Sequence, residues 1–365
     1  MARHMDSSDT DFDAKFLGWQ KKHSGEIFPV FNITMAGHPL CYSTVSETTL
    51  RKLNLRIPQT RSPYPDTAQA PWSDLGVDLK HPRTAHEAIR MAGLDYPVVK
   101  YPISLHAGPN PEMFATMRTD TCEVLGFVHA DYEPIQNTDA FTFFDTLVAG
   151  SEATYEIAGL LGRGERVWLL ARLTGDINVH GNDIVNKYLL LINSHDGSAH
   201  VRVKVMPIRV VCNNTLTSAL QGMGDIIVGG APSTRMNPEQ ALTILTMSNS
   251  LYEQLDCVFN AMAAKSITDK QLQEYVRVLV PDKEGDTDTA RTAVIRNHVL
   301  HLHEAGRGVN LARGTVWGAF NSVAEYTDHM MVEEDSSTRL NSVWFGRGEH
   351  LKVKAFRLAQ RLMQA

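Results

Sequence analysis

Tyr188-Leu189-Leu190-Leu191-Ile192, then Asn193-Ser194-His195-Asp196-Gly197, then His200-Val201-Arg202-Val203-Lys204-Val205 is an aliphatic run, a set of turn formers and an alternating return. Successive strand residues point to opposite faces, so Val201, Val203 and Val205 face a core. His200, Arg202 and Lys204 line up on the other side, which is expected to meet solvent. Working outward, Tyr155 to Leu161 and Arg166 to Leu173 form a second hairpin around Gly162-Arg163-Gly164-Glu165. Val167-Trp168-Leu169-Leu170-Ala171 is apolar on both faces and belongs at the centre of its sheet. Before it, Glu123 to Val128 is strand-like. Asn137-Thr138-Asp139 caps a helix with Phe141, Phe144, Leu147 and Val148 on one face.

Beyond the hairpins the chain turns helical. Asn237-Pro238 caps a long helix carrying Leu242, Leu245, Leu255, Val258, Phe259 and Met262. Thr268-Asp269-Lys270-Gln271 has capping-box form, and Pro281 to Thr289 is an exposed acidic connection. Further helices open at Gly314-Thr315-Val316-Trp317 and at Leu351-Lys352. Near the start, Ile27 to Ile33 reads as a strand, Ala36 to Pro39 as a turn and Ser46 to Leu53 as a short helix. The resulting class is α+β, with a central antiparallel sheet of hairpins and packed helices, a mainly helical C-terminal region and a small N-terminal α/β unit. The expected boundaries are 1–15 (tail), 16–58 (N-terminal unit), 59–71 (proline-rich linker), 72–235 (α+β core) and 236–365 (helical region).

With 43% hydrophobic and 21% charged residues, the 365-residue chain has the composition of a folded protein. Its formal net charge of -6 confines any nucleic-acid contact to a local basic patch. Cys41, Cys122, Cys212 and Cys257 form no C-x-x-C pair and are expected to be buried, reduced thiols. No signal-peptide core and no membrane-length apolar run is present, so a cytoplasmic location without membrane contact is expected.

Several stretches resemble a known family. They are Arg118 to Gly126, Pro134 to Asn137, Tyr155 to Gly159, Arg166 to Ala171, Tyr188 to Gly197, Ile208 to Leu216, Gly314 to Trp317 and Glu325 to His329. Their order and identity are similar to the phage/plasmid-like family called domain of unknown function 932, from about Trp72 onward. That family usually has a histidine after the tryptophan near Pro71-Trp72, where this chain has Ser73. The resemblance implies a mobile-element origin and no defined chemistry. Its strands-then-helix order is also similar to single-strand annealing proteins, an analogy of folds alone.

Four constellations stand out. His200, Arg202 and Lys204, followed by Arg209 and Cys212-Asn213-Asn214-Thr215 read as a helix start, suit a phosphate backbone. Against that stands a sheet whose cations are merely the polar partners of valines. His195 beside Asp196 suggests a general base, but the surrounding residues are those of a tight turn. His298, His301 and His303 supply at most two converging metal ligands from one helix face. Lys352, Lys354, Arg357 and Arg361 are a cationic run that a solvated helix face also explains. Glycine-rich phosphate loops are absent, and no cofactor is expected.

The expectation is a non-enzymatic binder of single-stranded or duplex DNA, a homo-oligomeric annealing or recombination accessory factor. Its phosphate contacts would be His200, Arg202, Lys204, Arg209 and Asn213, with no catalytic or metal residues assigned. Trp317, Tyr326 and Trp344 are candidate stacking rings, though rings at helical spacing usually belong to a core. The alternatives are a metal-assisted hydrolase or nuclease using His195 and Asp196, and a protein-binding regulator of host defence.

Overall fold

The computed structural model describes residues 12–21, 27–35, 38–40, 70–105, 108–198, 201–216, 225–227, 238–282, 289–331 and 335–364. It divides into two compact units, Met1–Asp66 with Val276–His301, and Thr67–Tyr275 with Leu302–Ala365. The first contains an antiparallel sheet β1 (Phe12–Lys21), β2 (Ile27–Met35), β3 (His38–Leu40), with a bulge between Phe16 and Gly18. In its C-terminal segment Arg296 donates to Val280 O at 2.7 Å and pairs with Asp282 at 2.9 Å. The helix expected over Ser46 to Leu53 and residues 58–69 of the proline-rich stretch lie outside the described residues.

The second unit begins with β4 (Gly76–Asp78) and α1 (Ala85–Met91). A small antiparallel sheet follows, made of β5 (Val98–Leu105), β6 (Gly108–Arg118) and β7 (Val124–His129). Helical turns over 137–149 lead into β8 (Ala153–Leu161), β9 (Arg166–Val179), β10 (Asp183–Ser194), β11 (Arg202–Arg209), β12 (Asn214–Thr215) and β13 (Asp225–Ile227). The order of this large antiparallel sheet is β12-β11-β10-β9-β8-β4, with β13 also paired to β11. The helices are α2 (Pro238–Ala264), α3 (Asp269–Leu279), α4 (Thr289–Ala305), α5 (Val316–Glu325), α6 (Ser336–Phe345) and α7 (Arg347–Gln364). A single π-helical turn, Tyr326–Met330, extends α5. Both hairpins, the central place of β9 and the helical C-terminal region match the expected α+β class.

The large sheet is buried on both faces. On one, Trp168, Leu170, Leu190, Ile192, Met206 and Ile208 pack with Trp72 and with Leu340, Val343 and Trp344 of α6. Trp168 and Trp344 meet edge to face, centroids 5.0 Å apart at 87°. On the other, Leu169, Ala171, Leu189, Leu191, Val203 and Val205 are fully enclosed. The Tyr252 hydroxyl of α2 donates to Tyr188 O (2.6 Å) and accepts from Tyr188 N (2.9 Å), pinning that helix to the sheet. Each enclosed aliphatic side chain contributes about 1.5–3 kcal/mol relative to exposure.

Gly159 lies opposite Trp168 in the ladder, and a Cβ there would come within 2.4 Å of Leu75 O and of the Trp168 ring. Gly159→Ala is therefore expected to destabilise by about 1–3 kcal/mol through overpacking. Chemical denaturation checks this; a change below about 0.5 kcal/mol would mean that the indole is not held where it is described.

Four local expectations are corrected. The return strand β11 has no solvated face, because helices cover both sides of its sheet. Cys212 to Thr215 starts no helix: 210–213 is a tight turn, with Asn213 at φ 53, leading into β12. Gln136 takes the N-cap position, while Asn137 is buried and donates to Leu94 O at 2.9 Å. Of the cysteines described, Cys212 is buried and Cys122 and Cys257 are exposed. Thr268 and Gln271 do form the capping box, with reciprocal bonds of 3.0 and 3.3 Å.

Candidate nucleic-acid interface

Each cation of the β11 ribbon has a definite place. His200 lies outside the described residues. Arg202 is half-buried and paired on both sides, opposite Ile192 of β10 and Ile227 of β13. Lys204 stands in one row with Leu190 and Leu170, so it points into the core face beside Trp344. Its ammonium donates to Trp344 O at 3.0 Å and is ion-paired to Glu349 of α7. Arg209 is fully enclosed, its Nε 2.8 and 2.9 Å from the Asp183 carboxylate and an amino nitrogen 2.6 Å away. Asn213 is half-buried at the turn before β12. The structure does not gather these residues into an exposed cradle. Lys204 and Arg209 are corrected to interior ion pairs, since phosphate could reach them only by displacing a carboxylate and a helix.

Around Arg209 lies a polar seam that draws on widely separated segments. Asp183 also accepts the Trp317 indole N–H at 2.8 Å, and the Arg209 guanidinium lies 5.9 Å from that ring's centroid. Arg209 further donates to Gly308 O at 3.0 Å, and Gly308 has a φ of 65, a conformation that suits glycine. Glu325 accepts the Arg307 N–H at 3.1 Å on both oxygens, and burial raises its pKa. The loop after α4 is thus held by its carbonyl groups on one side and by an amide on the other.

The π turn carries the second half of the seam. Asp328 accepts from Thr215 N (2.6 Å), Thr215 Oγ1 (2.8 Å) and Lys352 Nζ (2.7 Å), and both charged partners are completely buried. Burial pulls the Lys352 ammonium below the ordinary lysine value, while Asp328 opposes that shift. His329 Nε2 meets Cys212 O (3.0 Å) and Asn214 Oδ1 (3.2 Å), so this nitrogen carries the proton. Burial holds that imidazole down at about 4 and pushes the Cys212 thiol up to about 12. A thiol held that far from ionisation is a poor nucleophile at neutral pH.

A family model described as a domain of unknown function (DUF932) matches residues 124–344, more than half of the chain. The chain belongs to the DUF932 family. The match runs from β7 through α6 and so takes in Asp183, Arg209, Thr215, Trp317 and Asp328. No curated protein and no solved structure matches the chain. The DUF932 match ends at Trp344, before the surface described next.

That surface is the outer side of α7. Gly348, Lys352, Ala355, Phe356 and Ala359 are its buried positions. Arg347, His350, Arg357 and Arg361 are exposed and Lys354 is half-exposed. They stand at i, i+3, i+7, i+10 and i+14, which is one face of a helix, over about 21 Å. The only carboxylate on α7, Glu349, is ion-paired to Lys204.

The remaining constellations are accounted for structurally. His195 is enclosed, its Nε2 2.7 Å from Asn137 Oδ1, whereas the Asp196 carboxylate accepts from Ser198 N at 2.9 Å within the turn. They do not form a base and its orienter. Trp317, Tyr326 and Trp344 are buried core rings. Among the described residues no group of three or more His, Cys, Asp or Glu is placed to hold a metal ion. No described helix is long and apolar enough to cross a membrane.

Proposed function

We propose that this DUF932 protein binds the phosphate backbone of DNA along the outer face of α7. One observation carries the reading: Arg347, His350, Lys354, Arg357 and Arg361 form a single file, and no acid occurs between His350 and the end of α7. A basic stripe along one helix face is the electrostatic footprint of a nucleic-acid binder, and it operates locally even at a net charge of -6. The role expected from the sequence, an accessory factor of annealing or recombination from mobile elements, remains part of the proposal. The contact surface is moved from the β11 ribbon to α7.

The test is fluorescence anisotropy with labelled single-stranded and duplex oligonucleotides over a salt series. Each phosphate contact adds about 0.7 (single strand) to 0.9 (duplex) to the slope of log affinity against log salt. Arg357→Glu with Arg361→Glu should weaken binding at least about tenfold and flatten the slope by about 1.4–1.8. Lys204→Met combined with Glu349→Gln, which removes the enclosed pair without leaving a lone charge on α7, should leave both unchanged. Equal affinity in wild type and the double variant, or no binding at low salt, would refute the assignment.

A further inference from the structure

Among the described residues only two Phe, Tyr or Trp side chains are exposed, Tyr101 (48%) and Phe127 (61%). They stand in one row of the small sheet: Tyr101 of β5 pairs with Ala115 of β6, which pairs with Phe127 of β7. Strand spacing puts their Cα atoms about 10 Å apart, with only the alanine methyl group between them. The rows on either side are Val99 with Met117 and Met113 with His129. These three rows hold no Asp, Glu, Lys or Arg.

The packing of the opposite face fixes the direction of the rings. Thr116 Oγ1 donates to His195 O at 2.6 Å, and a Cβ at Gly126 would fall 2.5 Å from Asp196 Cα. Val128 is buried, and a Cβ at Gly197 would come within 3.0 Å of it. That face lies on the turn after β10. Side chains alternate along a strand, so Tyr101, Ala115 and Phe127 point the other way, into solvent. Two large rings left in water contribute no burial to the fold, and an exposed apolar patch of this kind marks a contact surface.

We infer that this face is a stacking platform for the unpaired bases of single-stranded DNA, which rests on the reading of α7 as the phosphate contact and adds the form of DNA taken. The two surfaces are complementary in chemistry. The α7 file carries cations and no Phe, Tyr or Trp, whereas the sheet rows carry rings and neither Lys nor Arg. Every base offers a π face to an aromatic side chain, whatever the sequence; in a duplex those faces are already stacked on one another. The three rows span roughly 10 by 14 Å. A stable protein interface takes about 800 Å² from each partner, so a protein or a second copy docked here alone falls short of area.

Anisotropy with labelled oligothymidine, an abasic oligomer of equal length and a duplex tests this on the full chain. Each stacked base is worth about 5- to 150-fold in affinity. Tyr101→Ala with Phe127→Ala should weaken oligothymidine binding at least about tenfold. Its salt slope, and the affinities for the abasic oligomer and the duplex, should stay as in wild type. Tyr101→Phe with Phe127→Tyr keeps both rings and should bind as wild type does. Unchanged oligothymidine affinity in the alanine variant overturns the platform and leaves the face to a protein partner. An equal loss on the abasic oligomer overturns it too, as does a wild type that binds oligothymidine no better than the abasic oligomer. Failure at α7 reads differently: charge reversal there would leave the salt slope intact, while the alanine variant would still lose oligothymidine selectively.

Discussion

Asp328→Ala is expected to cost about 3–5 kcal/mol of unfolding free energy, among the largest effects of any single substitution in this chain. The carboxylate lies completely buried and accepts from Thr215 N, Thr215 Oγ1, Lys352 Nζ and, at 3.2 Å, Thr327 Oγ1. Removing it leaves the Lys352 ammonium without a directly bonded carboxylate, its remaining bonds running to Thr215 O (3.1 Å) and Thr215 Oγ1 (2.6 Å), while the nearby Glu349 is already paired to Lys204. An uncompensated buried charge, more than a lost contact, makes the effect large. Adding Lys352→Met should therefore restore much of the loss, because an apolar side chain of similar length replaces a charge that has lost its partner. Urea denaturation of the two single variants and the double variant measures this coupling. A cost below about 1 kcal/mol for Asp328→Ala, or double-variant losses that merely add, would contradict the described pair.

The same pair shows what the sequence discloses and what it hides. Strands β8 to β11 and their two hairpins are legible because turn formers interrupt apolar runs, and because apolar residues on both faces of β9 mark a central strand. Taken in isolation, the alternation in β11 misleads. Its neighbour β10, Tyr188-Leu189-Leu190-Leu191-Ile192, is as apolar on both faces as β9. A strand beside it shares that covering, so Lys204 in the row of Leu190 and Leu170 has to be interior. The two-sided pattern of β10 is the available signal, and it outweighs the lysine's own polarity. Asp183, Glu349 and Asp328, the carboxylates that receive these cations, give no local signal. Asp183 and Arg209 are 26 residues apart and Lys204 and Glu349 145 apart, so only the tertiary fold unites them.

For α7 the position is different. The run Lys352, Lys354, Arg357 and Arg361 is visible as a cationic stretch, but it mixes two faces. Lys352 is one of the buried positions, whereas Lys354, Arg357 and Arg361 continue the three-and-four spacing that starts at Arg347 and His350. Helical spacing in the sequence is therefore enough to separate the interior charge from the outward stripe.

Acid is expected to weaken this fold well above the range in which carboxylates titrate. His195 and His329 each have a pKa lowered from 6.5 to about 4, in both cases chiefly by burial. For His195 the geometry explains why charging is costly: Nε2 already faces Asn137 Oδ1, and among the described residues the enclosed Nδ1 has no acceptor for the hydrogen bond that a second N–H would have to make. Because the folded value lies below the unfolded one, the unfolded chain binds protons that the folded chain refuses. The stabilisation is therefore complete above about pH 6.5 and is lost as pH falls towards 4. A shift of this size is worth on the order of 3 kcal/mol per histidine, of which about 2 should be gone by about pH 5. Denaturation midpoints measured from about pH 7 down to about pH 5 isolate the histidines from most carboxylates. His195→Gln, which keeps an N–H donor near Asn137 but cannot gain a proton, and His329→Gln should each remove about 2 kcal/mol of the loss over that interval, leaving what His298 and His303, also lowered by burial, contribute. If both variants kept the wild-type slope across that interval, the two imidazoles would not be the buried neutral groups that their surroundings make them.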